Sequence, residues 1–286
     1  MTRIDSHQHF WRYSAAEYGW ITDSMAALGR DFLPEELRSE MDRAGIQACV
    51  AVQARQTLEE TRWLLELAER YPFIAGVVGW VDLQADDVAA QVEQFATYSK
   101  LVGVRHIVQD EPDDRFLLRP AFCRGISVLE DLDLAYDILI YPRHLRVALD
   151  FVWRFDTQRF VLDHLAKPAI RSGELREWER HIRELARAQN VFCKLSGLVT
   201  EAHWTRWTPD EIRPCLDVAF DCFGAHRLLA GSDWPVCTLA ADYGRTMSLV
   251  TEYLERRPAE ERDAVMGGNA ARFWRLPVGE TVGQRS

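Results

Sequence analysis

The sequence predicts an α/β fold, a single-domain (β/α)8 barrel of the TIM-like kind, and three observations lead to this prediction. Eight short runs of apolar and β-branched residues recur along the 286 residues. Stretches with one apolar face at helical spacing separate those runs. The length is ordinary for one such barrel, which needs about 250 residues. The alternation and the strand count favour a closed barrel over an open doubly wound sheet, which stays the alternative.

The strand candidates are mostly continuous apolar runs, the pattern of parallel strands that are buried on both faces. In chain order they span residues 3–10, 48–53, 73–81, 101–108, 136–141, 159–165, 190–196 and 227–233. Apolar residues keep helical spacing between them, for example at Leu64, Leu67 and Ala68, at Trp178, Ile182 and Leu185, and at Tyr243, Met247 and Val250. We assign residues 1–276 to the barrel and residues 277–286 to a C-terminal tail.

Composition argues against several classes of function. The 44 acidic and 34 basic residues give a net charge of −10, whereas nucleic-acid binders need clustered cations. No stretch approaches the roughly 20 apolar residues of a membrane span, and the N-terminus lacks the apolar core of a secretion signal. Six scattered cysteines without a CxxC pair favour a reducing compartment over a disulfide framework. We expect a cytoplasmic protein with a small-molecule partner, no nucleic acid and no membrane; the sequence does not indicate the oligomeric state.

Most strand candidates end in a residue that can do chemistry. In chain order these residues are His7 and His9, Arg105 and His106, Tyr141, Asp163 and His164, Lys194 and Ser196, and Asp233. The carboxyl ends of barrel strands meet at one rim, where barrel enzymes carry their active sites. The pattern therefore predicts one converging site.

The sharpest local element is His7-Gln8-His9. Residues i and i+2 of a strand face the same side, so both imidazoles are expected to point into the barrel mouth. That arrangement presents two ligands to one divalent metal, and neutral imidazole suits Zn²⁺. The alternative is a hydrogen-bonded histidine pair in a polar loop. A third histidine, His164, and the carboxylate of Asp233 on other strands favour the metal interpretation.

Motifs along nearly the whole chain, from Ile4 to Leu276, resemble the amidohydrolase superfamily. They are IDSHQHFW at the first strand, VLDHLAKP at the sixth, CKLSG at the seventh, AGSDWP at the eighth and GGNAARFW near the end. The branch is that of the sugar-lactone and pyrone-dicarboxylate lactonases. Within it, GVRH followed by a Pro-Arg-His-Leu segment is most similar to L-fuconolactonases. The resemblance implies a (β/α)8 barrel that hydrolyses at a carbonyl carbon.

The sequence departs from the two-metal members of this superfamily. Those members end the fourth strand in a carboxylated lysine or a glutamate and the fifth in a histidine. Here the fourth ends in Arg105-His106 and the fifth in Tyr141. What remains, His7, His9, His164 and Asp233, implies a site for one divalent ion, with Zn²⁺ expected. Pyrone-dicarboxylate members resemble this pattern and work without metal, so a scheme in which metal is not essential stays open.

Three residues are candidates for the chemical step. Asp233 would take a proton from an attacking water and return it to the departing ring oxygen; the alternative is a helix N-cap. His164 would bind metal or polarise the carbonyl, or else it is a hydrogen-bonded core histidine. Arg105 suits a developing oxyanion or a substrate carboxylate, unless it only pairs Asp110 or Glu111.

Further candidates lie around the rim. Tyr141 either donates to substrate or is an ordinary strand-end aromatic residue. His106 with the rings of Trp11, Trp204 and Trp234 would contact substrate, the alternative for each ring being to anchor a loop. Among weaker candidates are Lys167 and Lys194, and a lysine in a buried strand needs a partner for its charge. Asp5 is expected to orient a histidine or cap a turn.

These observations predict a hydrolase that opens a sugar-acid lactone, L-fucono-lactone or a close six-carbon aldonolactone, to the aldonic acid. The neutral, hydroxylated ring suits the aromatic rim better than a dicarboxylate does. The alternatives are a pyrone-dicarboxylate or muconolactone-type lactonase and a metal-dependent non-oxidative decarboxylase of the same superfamily. A non-catalytic sugar-binding barrel is a third class, but it would be expected to lose the His/Asp constellation that this chain keeps.

Overall fold

Eight parallel strands form a single sheet in which each strand pairs with the next along the chain. The computed structural model describes residues 1–277. The strands are β1 Ile4–Gln8, β2 Ala48–Val52, β3 Ile74–Gly79, β4 Leu101–His106, β5 Ala135–Ile138, β6 Phe160–Leu162, β7 Val191–Leu195 and β8 Leu228–Ala230. The predicted (β/α)8 barrel is confirmed. The tail predicted for residues 277–286 lies outside the described residues from 278 onward.

The barrel closes just beyond the end of β8. The amide of Asp233 donates to the His7 carbonyl at 2.8 Å, and the amide of His9 donates to the Trp234 carbonyl at 2.7 Å. These two bonds join the segment after β8 to β1. The closure therefore places Asp233 next to His7 and His9.

Helices surround the barrel, and most of them bury apolar side chains against it. They are α1 Pro34–Ala44, α2 Leu58–Arg70, α3 Val88–Glu93, α4 Pro120–Asp131, α5 Leu145–Val152, α6 Arg176–Leu185, α7 Pro209–Phe223, α8 Tyr243–Leu254, α9 Ala259–Asp263 and α10 Asn269–Trp274. Thr208 and Glu211 form a capping box at the start of α7, where proline and two acidic residues occupy the first turn. None of the helices in residues 1–277 is long and apolar enough to cross a bilayer.

All eight strands are shorter than the sequence patterns predicted, and three of them end three residues before the predicted end. The runs 136–141, 159–165 and 227–233 correspond to β5, β6 and β8, which end at Ile138, Leu162 and Ala230. After β6 and β8 the backbone enters the left-handed region, at His164 with φ 53° and at Asp233 with φ 59°. That conformation breaks a β-ladder, so the reactive residues follow the strands in turns.

The barrel interior has two layers of opposite character. At the amino ends of the strands an apolar layer includes Ala135, Val161, Phe192 and Leu229, and it is closed from below by Phe273, Trp274 and Leu276. Two positions further along three of these strands, on the same face, stand the buried charged residues Asp137, Asp163 and Lys194. The core thus lies at the bottom and under the helices, and the charged layer lies near the mouth.

Candidate active site

A cavity of about 260 Å³ lies at the carboxyl ends of the strands. Its walls are His9, Trp20, Met25, Ala54, Arg105, Ile107, Gln109, Asp110, Leu139, Tyr141, His164, Lys167, Asp233 and Val236. Five of the predicted site residues are therefore brought to one place. A larger groove of about 570 Å³ between α1 and α8 contains none of them.

Two histidines of β1 and its end face the carboxylate that follows β8. The Nδ1 of His9 lies 2.8 Å from the Val52 carbonyl, which can only accept, so Nδ1 carries the proton. The Nε2 lone pair of His9 therefore faces His7 Nε2 at 3.2 Å and Asp233 Oδ1 at 3.3 Å. His7 Nε2 lies 3.7 Å from the same oxygen.

His164 completes this cluster from the end of β6. Its Nε2 is 3.9 Å from Asp233 Oδ1, and its Nδ1 is 2.9 Å from the Ser196 hydroxyl. The ring lies over Gly197, where a Cβ would come within 2.5 Å of His164 Nδ1. Gly197 also has a φ of 66°. The position therefore favours glycine for two reasons, the left-handed backbone and the space that the His164 ring occupies.

His164 belongs to a turn of unusual conformation. Four consecutive non-glycine residues, from His164 to Lys167, have φ between 53° and 57°. A left-handed conformation costs an L-residue roughly 1–2 kcal/mol, so surrounding contacts must hold this turn. Leu165 and Ala166 are fully buried, and the Trp178 indole of α6 donates to the Leu165 carbonyl at 2.7 Å. The anchored turn directs both its ends, His164 and Lys167, to the cavity.

A buried ion-pair network lies behind His7. The Lys194 ammonium contacts Asp137, lies 2.9 Å from Asp163 Oδ1 and lies 3.0 Å from His7 Nδ1. Arg105 donates from Nη1 to Asp163 Oδ2 at 2.9 Å and from Nη2 to the Gln53 carbonyl. The partner of Arg105 is thus Asp163, while Glu111 pairs with His106 at 2.7 Å. The positive charge of the buried Lys194 is therefore paired with Asp137 and Asp163, as a lysine in a buried strand requires.

The network fixes protonation states around His7. Burial would raise the pKa of Asp163, but Lys194, His7 and Arg105 outweigh it and hold that pKa well below its usual range. Burial raises the pKa of Asp137 to about 7, against the opposing attraction of Lys194. Burial and the charge of Lys194 together hold the pKa of His7 well below its usual value. His7 is therefore a neutral imidazole, so one of its two ring nitrogens carries a free lone pair.

The carboxylate and the third histidine also keep definite charges. Burial opposes ionisation of Asp233, yet His164, His9 and His7 hold its pKa below the usual range. Burial lowers the pKa of His164 to about 4, although Asp233 and Asp163 pull the other way. At neutral pH Asp233 is therefore an ionised carboxylate, while His7 and His164 are neutral imidazoles.

This donor set suits a divalent cation. His7, His164 and Asp233 offer ligand atoms within 4.8 Å of one another, and the lone pair of His9 points at the same place. Neutral nitrogens and a carboxylate oxygen are the ligands zinc prefers. Two imidazole Nε2 atoms and an anionic oxygen this close together repel unless a proton or a cation lies between them. His7, His164 and Asp233 thus form a donor set that fits a metal ion.

Asp5 organises the closure between β1 and the segment after β8. Its Oδ1 accepts from the amides of His7 at 3.1 Å and Ser232 at 2.9 Å, and its Oδ2 accepts from the Ser232 hydroxyl at 2.6 Å. Burial raises its pKa to about 6 despite these donors. The expected role of orienting a histidine agrees with these contacts.

Four residues predicted at the substrate do not line the cavity of residues 1–277. Trp11 and Trp234 pack in the core beneath the rim, each edge-on against Phe32. Trp204 donates to the carbonyl of Thr200, four residues before it. His106 stacks on Phe116 outside the barrel. The structure therefore does not bring these four residues to the cavity wall: large apolar rings gain more by anchoring loops than by facing water, and strand parity turns His106 away from Arg105.

Other lining residues went unrecognised or were ranked low in the sequence. Trp20 and Met25 reach the cavity from the long loop between β1 and α1, and Gln109 and Asp110 come from the segment after β4. Lys167, a weak candidate from sequence, joins them. The usable signals were the position of Lys167 in the motif after the sixth strand and the aromatic-rich stretch after the first strand, which includes Trp20. Irregular loops otherwise carry no periodicity that predicts direction.

The fold and this His/Asp cluster correspond to a known class. The model of the family described as amidohydrolase matches residues 4–276, and the chain belongs to that family. It is 47% identical to an L-fucono-1,5-lactonase of Burkholderia multivorans, with 96% of each chain covered. It is 41% identical to an L-fucono-1,5-lactonase of Burkholderia ambifaria, with 99% of each covered. A crystal structure of a Burkholderia multivorans amidohydrolase with bound zinc superposes with a TM-score of 0.94 at 47% identity, covering 97% of this chain and 100% of that one.

Proposed function

We propose that this protein hydrolyses a sugar-acid lactone, L-fucono-lactone or a close six-carbon aldonolactone, to the aldonic acid. The observation that carries the proposal is the convergence of an ionised Asp233, the histidines and Arg105 on one cavity. An ester carbonyl needs a base for water and fixed positive charge for its oxyanion, and this cavity offers both. The names of the two full-length lactonase relatives support the same substrate class. Six unpaired cysteines support placing the enzyme in the cytoplasm.

In this proposal Asp233 is the general base. Its carboxylate is ionised at neutral pH, so it can accept the proton of a water that attacks the lactone carbonyl. The same carboxyl then protonates the departing ring oxygen, and the ring opens. The closure bond from the Asp233 amide to the His7 carbonyl keeps the carboxylate over the histidines throughout.

Arg105, His164 and Tyr141 would stabilise the substrate. Arg105 is fixed at its two Nη atoms, and its buried Nε has no partner among residues 1–277. In this proposal that N–H is the donor that stabilises the developing oxyanion. His164 lines the cavity beside Asp233 and helps to polarise the carbonyl, and the Tyr141 hydroxyl is a donor at the wall.

His7, His9, His164 and Asp233 would hold one divalent cation, most simply Zn²⁺, which supplies a Lewis acid for the carbonyl and acidifies water. Their buried positions and fixed tautomers suit such an ion. The Nη1 of Arg105 lies 3.3 Å from His7 Nε2, so its guanidinium is a second, covalently fixed source of positive charge near the same place.

A direct comparison of two lactones tests the proposed substrate class. A neutral six-carbon aldonolactone should have the higher kcat/KM, because the cavity includes the acidic Asp110 and because Arg105 is already paired to Asp163. A pyrone dicarboxylate needs several free cations. A tenfold preference for the dicarboxylate, about 1.4 kcal/mol of differential transition-state binding, would refute the sugar assignment and leave a lactonase.

A further inference from the structure

Three polar groups on the cavity wall have no hydrogen-bond or ion-pair partner within residues 1–277. The indole Nε1 of Trp20 and the amide Oε1 of Gln109 are buried and unpartnered. The Lys167 ammonium lies 5.4 Å from the centre of the Tyr141 ring and makes no ion pair with a described residue. Buried polar atoms are rarely left unpaired, so the Trp20 and Gln109 atoms require a polar partner, and the half-buried Lys167 adds a positive charge beside them.

The three groups come from different sides of the cavity. Trp20 belongs to the loop between β1 and α1, Gln109 follows β4, and Lys167 ends the left-handed turn after β6. The left-handed turn is energetically costly, and such conformations cluster at functional sites. We therefore regard the position of Lys167 at the cavity as part of the site. None of the three is needed for the proton transfers assigned to Asp233. They are therefore free to contact the part of a ligand that does not react.

The chemistry of these groups specifies the ligand. Trp20 and Lys167 can only donate, while Asp110 beside them can only accept and Gln109 can do either. A hydroxyl group both donates and accepts, so a ring with several hydroxyls satisfies all four residues. A carboxylate only accepts, and it would leave the acceptors unpaired and face the charge of Asp110.

We propose that Trp20, Gln109, Asp110 and Lys167 form a hydroxyl-binding subsite that selects lactone rings carrying free hydroxyls over bare or carboxylated rings. This inference rests on the proposed lactonase function and names the residues that set its specificity. Among these four residues, Trp20 supplies the donor that water replaces least easily, because its indole N–H is buried.

Trp20→Phe tests the subsite, because it removes the N–H and keeps an aromatic ring in the roof of the cavity. The substrates are a polyhydroxylated six-carbon 1,5-lactone and the unsubstituted δ-valerolactone. The ratio of their kcat/KM values should fall about tenfold or more in the variant, as expected where a site hydrogen-bonds a substrate hydroxyl. Trp153→Phe is the matched control, since Trp153 is 58% exposed and does not line the cavity. It should leave the ratio unchanged.

Binding of inert lactams separates this inference from the lactonase proposal. Calorimetry with a hydroxylated δ-lactam and with plain δ-valerolactam needs no turnover. The wild type should prefer the hydroxylated lactam, and Trp20→Phe and Lys167→Met should each weaken that preference about tenfold. Equal loss for both lactams, or an unchanged preference in both variants, would overturn the subsite. A retained lactam preference in a protein that hydrolyses neither lactone would instead overturn the lactonase function alone.

Discussion

At the scale of single residues, the site depends on side chains held by their backbone. Asp233 has a φ of 59°, and its amide is bonded to the His7 carbonyl at 2.8 Å. The conformation that is unfavourable for a non-glycine residue is thus stabilised by the barrel closure. The carboxylate consequently lies against His7, His9 and His164, and its pKa is below the usual range.

Asp233→Asn should lower turnover by about 10²–10⁴-fold while folding is little affected. The amide keeps the size and polarity of the side chain but cannot accept the proton of water. Steady-state kinetics on the preferred lactone, with a thermal unfolding curve for each protein, makes the measurement. Near-normal turnover in the variant would mean that Asp233 is structural.

Gly197→Ala should lower kcat/KM by about 10–100-fold, because the new methyl would displace the ring of His164. Its Cβ would lie 2.5 Å from His164 Nδ1 and 3.2 Å from Asp233 Oδ2. Gly45→Ala is the control, since Gly45 has the same φ of 66° with no heavy atom within 4 Å of the added carbon.

The control should cost only about 1–2 kcal/mol of unfolding free energy, the backbone cost that both variants share. Activity should stay at the wild-type level in Gly45→Ala. An equal loss of activity in both variants would show that backbone strain, and not the position of His164, matters at Gly197.

At the scale of elements, the loops after the strands are held by buried polar side chains. Glu60 of α2 accepts from the amides of Ala54 at 2.9 Å and Arg55 at 2.6 Å, and Tyr18 of the β1–α1 loop donates to it at 3.3 Å. It thereby joins the loop after β2, which contributes Ala54 to the cavity, to the loop that carries Trp20.

Glu60 should make the stability of the protein depend on pH. Burial raises the pKa of Glu60 to about 7, outweighing the two amides and Arg55. A carboxyl whose folded pKa is above its unfolded value contributes stability that is present at low pH and is lost as the pH rises toward the folded pKa. Between pH 5 and pH 8 the wild type should lose on the order of 2 kcal/mol relative to Glu60→Gln, which cannot ionise.

Urea unfolding of both proteins at several pH values measures this difference. The two stability curves should approach or cross as the pH rises. Parallel curves over the whole range would mean that Glu60 does not change its protonation state between the folded and unfolded protein.

At the scale of the whole molecule, the barrel separates stability from chemistry along its axis. The apolar layer at the bottom, closed by Phe273 and Trp274, needs no polar partners. The charged layer above it holds Arg105 and Lys194, two cations that touch opposite nitrogens of His7. Positive charge is therefore already built into the interior on two sides of the histidine cluster.

That charge distribution predicts at most one tightly bound divalent ion per chain. Arg105 lies at the end of β4, where a second metal ion would need an anionic ligand. A cation at that position disfavours a second metal ion. Elemental analysis of the purified protein should find up to one equivalent of zinc, and His9→Asn should lower it. His226→Asn, which changes an exposed histidine, is the control. Two tightly held equivalents would contradict the prediction.

The sequence by itself determined the barrel and much of its site, because both depend on local signals. Buried parallel strands require continuous apolar runs, and reactive residues at their carboxyl ends must share one rim. His9, Arg105, Tyr141, His164 and Asp233 were found in this way, and they do line one cavity.

Only the tertiary structure decided which neighbours those residues have. The partner of Arg105 is Asp163, 58 positions away, and the partners of Lys194 lie on β5 and after β6. Trp20 faces the cavity while Trp11 is in the core, although both belong to one aromatic loop. The physical reason is that ion pairs and loop packing depend on distances across the barrel, which no spacing along the chain records.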